Sequence, residues 1–238
     1  NQCDTEEITE FSFLNNRGEK CHATFISTKE RGLSKSRNMA IKYAKGDICL
    51  ICDDDELLEN DYVEKLISGF QNHPEDSLIA ARFKIPENYY MKKTFWDEPK
   101  RLTYKNSLKI SSWQIAFKRE DIIVNRITFD EMIGSGVSKA GGEEKIFLHD
   151  CLKKGLSGHY VPLLLGEISY NGSQWANNIF SYDYFIDWGY YTRRLKGGRL
   201  GATLLSVVFA FKKHKEYKDK CSITKALYGM LLGVYKKK

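Results

Sequence analysis

Gly46-Asp47-Ile48-Cys49-Leu50-Ile51-Cys52-Asp53-Asp54-Asp55-Glu56 is the stretch on which the fold turns. A glycine turn leads into an apolar run of strand length, and the run ends in consecutive acids at 53–56. An apolar run this short reads as a buried strand. Carboxylates at its end put charge on the carboxyl edge of a sheet, which in open α/β sheets is where ligands sit. Asp53 and Asp55, on alternate residues, are spaced to face one hard cation, whose shell phosphate oxygens usually complete. The same acids also read as a solvated turn, because Asp clusters often begin loops.

Upstream of this stretch, Ala23 to Ser27 reads as a strand, and Gly32-Leu33-Ser34 opens a helix with Ser34 as N-cap and Ala40, Ile41 and Ala44 as apolar positions. Downstream, Asn60 is expected to cap a helix whose residues Tyr62, Val63, Leu66, Ile67 and Phe70 repeat at helical spacing. Leu78 to Ile85, Ser111 to Phe117 and Tyr160 to Leu165 read as further strands. Residues 86–108 are irregular, aromatic and charged (Tyr89, Tyr90, Phe95, Trp96, Tyr104), the composition of a binding element or lid. Gly134-Ser135-Gly136 and Gly141-Gly142 flank a loop that opens a helix at Glu143, with Phe147, Leu148, Cys151 and Leu152 on one face and Gly155 at its end. Gly166 to Trp175 reads as a loop, and the chain from about Ser181 onward as helical. Strand and helix alternating in this way mark an α/β fold.

A chain of 238 residues holds one large α/β domain plus a tail, and 42% apolar with 29% charged residues is ordinary for a globular protein. Asn1 to Glu10 is polar and acidic and does not read as a signal peptide. The longest apolar runs, Ala202 to Phe211 and Ala226 to Tyr235, are about half of the roughly 20 residues that a spanning helix needs. The net charge of +6 is unevenly spread: residues 193–238 carry 13 Lys/Arg and 2 Asp/Glu, and residues 1–192 carry 24 and 29. A basic tail interleaved with Leu, Val, Phe and Tyr reads as attachment to an anionic membrane surface through interfacial helices. Nucleic acid is the competing partner, and a solvated helical face the plain alternative. Cys49 and Cys52 have C-x-x-C spacing without a second Cys or His pair, so the cysteines at 3, 21, 49, 52, 151 and 221 are expected to be small buried hydrophobes in a reducing compartment.

Three further positions carry chemistry. Glu143 and Glu144 at a helix start either complement the helix dipole or supply a general base. Arg37, in the first turn of its helix, is either a surface arginine or a holder of phosphate. Trp175 either stacks on a sugar or seals the core.

Taken together, these pieces resemble a known family. Gly32-Leu33-Ser34-Lys35-Ser36-Arg37-Asn38-Met39-Ala40-Ile41 followed by Ala44-Lys45-Gly46 and the acidic strand looks like the central signature of family 2 glycosyltransferases. Phe129-Asp130-Glu131, Gly134-Ser135-Gly136 and Gly142-Glu143-Glu144-Lys145-Ile146-Phe147-Leu148 look like its second signature, which ends in a Glu-Asp pair. The resemblance runs over about residues 23–175. It implies a mostly parallel mixed sheet flanked by helices, of the GT-A nucleotide-diphospho-sugar transferase type, in a catalytic domain at 1–180 with a basic helical tail at 181–238. It also implies an inverting, metal-dependent transfer of sugar from a nucleotide-sugar to a glycan or lipid-linked acceptor in bacterial surface-polysaccharide synthesis. The enzyme would be cytoplasmic, peripheral on the inner face of the membrane, with no nucleic-acid partner. Residue by residue, Glu144 takes the place of the catalytic base with Glu143 beside it. Arg37, Asp53 and Asp54 fall on the donor side, Asp55 and Asp53 on Mg²⁺ or Mn²⁺, and Trp175 and Gly142 on the acceptor side.

The chain departs from the pattern in three ways. Glu stands at 144 where the family has Asp, and Gly166-Glu167-Ile168-Ser169-Tyr170 offers no histidine to the metal, leaving Glu167 or water. Asn1-Gln2-Cys3-Asp4 resembles the end of the family's second strand, so a strand and helix of about 30 residues are expected to be missing. Two other readings are a nucleotidyltransferase, which also uses strand-end aspartates, and a non-catalytic membrane- or nucleic-acid-binding protein that works through the tail.

Overall fold

The computed structural model describes residues 1–15, 17–87, 93, 95–169 and 179–236. Chain order runs β1 (Glu7–Leu14), β2 (Lys20–Ser27), α1 (Leu33–Tyr43), β3 (Ile48–Leu50), β4 (Glu56–Leu58), α2 (Tyr62–Asn72), β5 (Leu78–Lys84), β6 (Lys100–Arg101), β7 (Ile115–Lys118), α3 (Arg119–Val124), α4 (Glu143–Lys153), β8 (Gly158–Ile168), α5 (Tyr182–Lys196), α6 (Arg199–Lys212), α7 (His214–Tyr217) and α8 (Ile223–Tyr235). The central sheet has the order β3-β7-β5-β8-β4, with β6 also on β8.

The sheet is mixed, as expected, but the expectation of mostly parallel strands needs correction. Of its pairings only β5–β8 is parallel, while β7 runs antiparallel between β3 and β5, and β4 and β6 run antiparallel to β8. Strands β3, β5 and β8 still point one way, so their carboxyl ends share an edge. Both faces are covered, which is why β5 reads as the unbroken run Leu78-Ile79-Ala80-Ala81. Leu78 and Ala80 pack with Phe117, Phe129, Phe147 and Cys151 toward α4. Ile79, Ala81 and Phe83 pack with Leu66 and Phe70 of α2 on the other side. In α2 only part of the expected apolar stripe is inside, because Val63 and Ile67 are exposed.

Local expectations at several element ends are overridden by partners distant in sequence. Ser34 lies inside α1, and its buried hydroxyl donates to the Ile133 carbonyl at 2.6 Å, so it does not cap the helix. The N-cap of α2 is Asp61, whose carboxylate pairs with Lys65 at 2.8 Å and does not cap the helix, and Asn60 instead offers its carbonyl to Arg17. Residues 112–114 form a 3-10 turn, which shortens the strand expected from Ser111. Gly166 to Ile168 continue β8 and pair with Glu56 to Leu58, where a loop was expected. The cysteines are all free, and Cys52 is exposed.

Two parts stand outside the sheet. Strands β1 and β2 make a separate hairpin, and Arg17 at its tip pairs with Glu64 of α2 at 2.6 Å. A cavity of about 890 Å³ lies between the hairpin and α1, lined by Phe11, His22, Phe25, Met39 and Tyr43 among others. Helices α5, α6 and α8 pack together around Phe185, Ala210, Ala226 and Met230. This bundle is docked on the sheet domain: Tyr190 packs with Ile133 and Ile146, and Arg194 bridges Asp130 at 2.5 Å and Asp150 at 2.8 Å. No helix among the described residues is long and apolar enough to cross a membrane.

Candidate active site

Strand β3 ends at Leu50, so Asp53 and Asp55 emerge at the carboxyl edge of the sheet. The Asp55 carbonyl is held by the Ser169 amide at 2.6 Å, just past the end of β8, which pins the acidic turn to the same edge. Asp53 uses both carboxylate oxygens: Oδ1 accepts from Arg37 Nη2 at 3.0 Å and Oδ2 from the Ser112 hydroxyl at 3.3 Å. Asp54 is exposed, and Asp55 and Glu56 are half-buried. Burial, with the charges of Asp53 and Asp54 beside it, raises the Asp55 carboxyl above its usual range. Burial likewise pushes Glu56 up to about 8, with Asp53 and Asp55 adding repulsion. Neither Glu56 oxygen has a hydrogen bond of normal geometry.

The paired glutamates arrive from the other signature. Gly142 takes φ 113, a left-handed conformation that favours glycine, and starts α4 so that Glu143 and Glu144 occupy its first turn. Both side chains are buried. Glu143 Oε1 accepts from Arg37 Nη1 at 2.8 Å and Oε2 from the Gly142 amide at 3.1 Å. Arg37 is therefore clasped between the strand-end Asp53 and the helix-start Glu143, and its guanidinium lies 5.5 Å from the Phe129 ring centre. Burial and the adjacent Glu144 raise the Glu143 carboxyl, against the pull of Arg37. Burial pushes Glu144 the same way, but Lys145, whose ammonium is 2.5 Å away, outweighs it and holds this carboxyl below its usual range.

The structure thus brings together Arg37, Asp53 and Glu143, with Asp54, Asp55 and Glu144 adjacent in sequence to them. Gly142 is buried, and the space a side chain would need there is filled by the Tyr191 ring, 2.5 Å from where a Cβ would sit. Glu167 shares the exposed face of the β4–β8 pair with Leu57, while Glu56 sits opposite Ile168 on the inner face. Trp175, Tyr89, Tyr90 and Tyr170 lie outside the described residues.

Three contributors were missed by sequence reasoning. Ser112 binds Asp53, and no pattern marks it. Lys93 comes from the irregular segment, donates to the Ser111 hydroxyl and lies 4.5 Å from the Trp113 ring centre. Burial, with repulsion from Lys145, pushes its ammonium down to about 7. Tyr191 belongs to α5, in the stretch read only as a basic tail. Its signal, an aromatic pair at 190–191 on the N-terminal helix of that tail, says nothing of where the ring lands.

Comparison with known proteins adds to this geometry. A family model described as glycosyl transferase family 2 matches residues 5–128. No curated protein matches the chain by sequence. Among solved structures, S. aureus TarS 1–349 in complex with UDP-GlcNAc is similar with a TM-score of 0.62 at 14% identity, over 87% of this chain and 62% of that one. The same TarS 1–349 in complex with UDP is similar with a TM-score of 0.57 at 15% identity, over 86% of this chain and 62% of that one. The chain thus spans less than two thirds of the length of these structures, and at this identity the likeness shows the fold, a GT-A type arrangement with a mixed sheet.

Proposed function

The chain belongs to glycosyl transferase family 2, and from that premise we propose that it is an inverting transferase. It moves a sugar from a nucleotide-diphosphate-sugar to an acceptor hydroxyl on a glycan or lipid-linked glycan of the bacterial surface. The observation that carries this reading is the Arg37 clasp, which joins the acids of the two signatures, about a hundred residues apart, at one sheet edge. A fold shared with a structure that holds UDP-GlcNAc supports a nucleotide-sugar as donor.

In this mechanism Arg37, positioned by Asp53 and Glu143, faces the donor, with Asp54 at the exposed rim of the acidic turn. Glu144 takes the proton of the acceptor hydroxyl as that oxygen attacks the anomeric carbon from the face opposite the diphosphate. The electrons of the anomeric C–O bond leave with the diphosphate, so no covalent intermediate forms. Lys145 keeps Glu144 ionised for this task. Glu143, held by Arg37 and the Gly142 amide, positions the arginine. The acceptor side is assigned to the Gly142 turn and to Trp175.

The donor set fits a hard divalent cation. It is all carboxylate oxygen, and burial together with repulsion among Asp53, Asp54 and Asp55 raises the Asp55 and Glu56 carboxyls, which favours a cation at this turn. Asp55 and Asp53 would hold Mg²⁺ or Mn²⁺ there, and when bound the ion would neutralise charge on the diphosphate.

The reading extends to a seat on the inner face of the membrane. Leu200, Leu204, Val208 and Phe211 form an exposed stripe along α6, two of them 66% exposed and Leu200 86%. No charged residue interrupts positions 200–211, and Lys196, Arg199, Lys212, Lys213 and Lys215 gather at its two ends. An apolar face ringed by cations fits an anionic lipid surface.

The test is release of nucleoside diphosphate from a panel of nucleotide-sugars with Mn²⁺. Glu144→Gln is expected to keep donor binding and lose turnover by 100-fold or more, about the scale of a lost general base. Asp55→Ala is expected to lose the metal-dependent release. Pyrophosphate as the product would overturn the reading in favour of nucleotidyl transfer.

A further inference from the structure

At the edge of the sheet opposite Asp53, three potential ligands from three elements meet. His73 follows the end of α2, Asp76 precedes β5, and His159 is the second residue of β8. One ligand atom from each lies within 4.8 Å of the others. Asp76 Oδ2 is 2.5 Å from His159 Nδ1 and 3.8 Å from His73 Nδ1. The seven residues of β5 separate this cluster from the carboxylate edge by about 20 Å, at roughly 3.3 Å per residue.

We propose that His73, Asp76 and His159 form a second metal site, for a borderline divalent ion such as Zn²⁺, that ties the α2–β5 turn to the start of β8. The Asp76 side chain is 5% exposed, and among the described residues its ion-pair partners are these two imidazoles. A bound divalent ion would give this buried carboxylate a full positive charge held by both imidazoles. Two ring nitrogens and one carboxylate oxygen select zinc-like ions over Mg²⁺, which keeps to oxygen ligands.

The three donors are close enough for one ion to reach after small shifts. Ligand bonds of about 2.0–2.1 Å in a tetrahedron set donor atoms about 3.3 Å apart. Here Asp76 Oδ2 and His159 Nδ1 share a hydrogen bond at 2.5 Å and His73 Nδ1 lies at 3.8 Å, so an ion would replace that hydrogen bond and draw the three donors to even spacing. The two rings stack at 4.4 Å with 23° between their planes, so one must turn for both nitrogens to aim at a single point. His73 stands on the turn after a helix end whereas His159 is held in β8, so His73 is the ring assigned to turn, and water would take the remaining position. The turn it would clamp is already tethered: the Ser157 hydroxyl donates to the Glu75 carbonyl at 2.8 Å, and Lys118 donates to the Pro74 carbonyl at 2.6 Å. An ion here adds to these tethers and stabilises the folded chain by mass action.

The test is thermal denaturation of metal-stripped protein with added ZnCl₂, CoCl₂ or MgCl₂. Zn²⁺ is expected to raise the melting temperature of the parent protein by several degrees more than that of His73→Ala, while any Mg²⁺ effect is the same in both. The Co²⁺-loaded parent is expected to show visible absorption of a low-symmetry site, lost in His73→Ala. An equal Zn²⁺ response in both proteins, no response in either, or a featureless Co²⁺ spectrum would overturn the proposal. Both proteins keep Asp53 and Asp55, so an ion bound there contributes equally to each, and the difference between parent and His73→Ala reports the histidine site alone.

Discussion

Removing the Arg37 side chain would leave Glu143 buried with one hydrogen bond, from the Gly142 amide, and Asp53 with only the Ser112 hydroxyl. Losing one partner of a buried pair costs about 3 kcal/mol. Arg37→Ala is therefore expected to shift the urea midpoint down by about that energy. Adding Glu143→Gln should recover part of the loss, since the uncompensated charge goes with it. Lys93 gives a pH test. Its uncharged form is favoured by burial, so its contribution to stability is full above the unfolded value of 10.5 and fades as pH falls through about 7. Melting curves of Lys93→Met are expected to show a flatter dependence than the parent between those limits. At this scale Arg37, Asp53 and Glu143 were picked out through the resemblance to the two family signatures, since residue type alone left Arg37 a surface arginine and Glu143 a partner of the helix dipole. Ser34 was misjudged, because a serine before a helix can satisfy its hydroxyl on the Ile133 carbonyl of a distant loop as well as on its own helix.

The helix pair α5–α8 packs backbone to backbone. A Cβ at Gly189 would clash with the Met230 carbonyl, and one at Gly233 with the Ile186 carbonyl. Gly233→Ala is expected to force the helices apart at about 1–3 kcal/mol, read as a lower melting temperature, whereas Gly198→Ala, with no atom within 4 Å, should be neutral. Helix periodicity made α2 and α4 readable, and the buried apolar run made β5 readable. The three-residue β4 was not readable, since Glu56-Leu57-Leu58 has no pattern of its own and becomes a strand only by pairing with the end of β8. Strand direction was equally hidden: β7 has the same apolar run whichever way it crosses the sheet.

For the whole molecule, the basic helices serve two purposes at once. Their inner side completes the candidate site through Tyr191 and anchors Asp130 through Arg194. Their outer side carries the α6 stripe. The protein is expected to float with vesicles containing anionic lipid at low salt and to release as salt rises. A Leu204→Glu, Phe211→Glu double variant should stay in the soluble fraction with turnover on a soluble acceptor unchanged. Concentration-dependent dimerisation abolished by the same pair would instead assign the stripe to a second copy of the chain.

The amino-acid order alone determined the α/β class, the acidic strand end, the glutamates at a helix start and the charge of the tail, because these rest on neighbours within a few residues. Only the tertiary structure decided that Arg37 joins the two acid-bearing elements, that Tyr191 closes over Gly142, and that two histidines meet Asp76 at the far edge of the sheet. Each of those contacts links elements far apart in the chain. Their geometry is set by how the layers pack, and no local pattern encodes it.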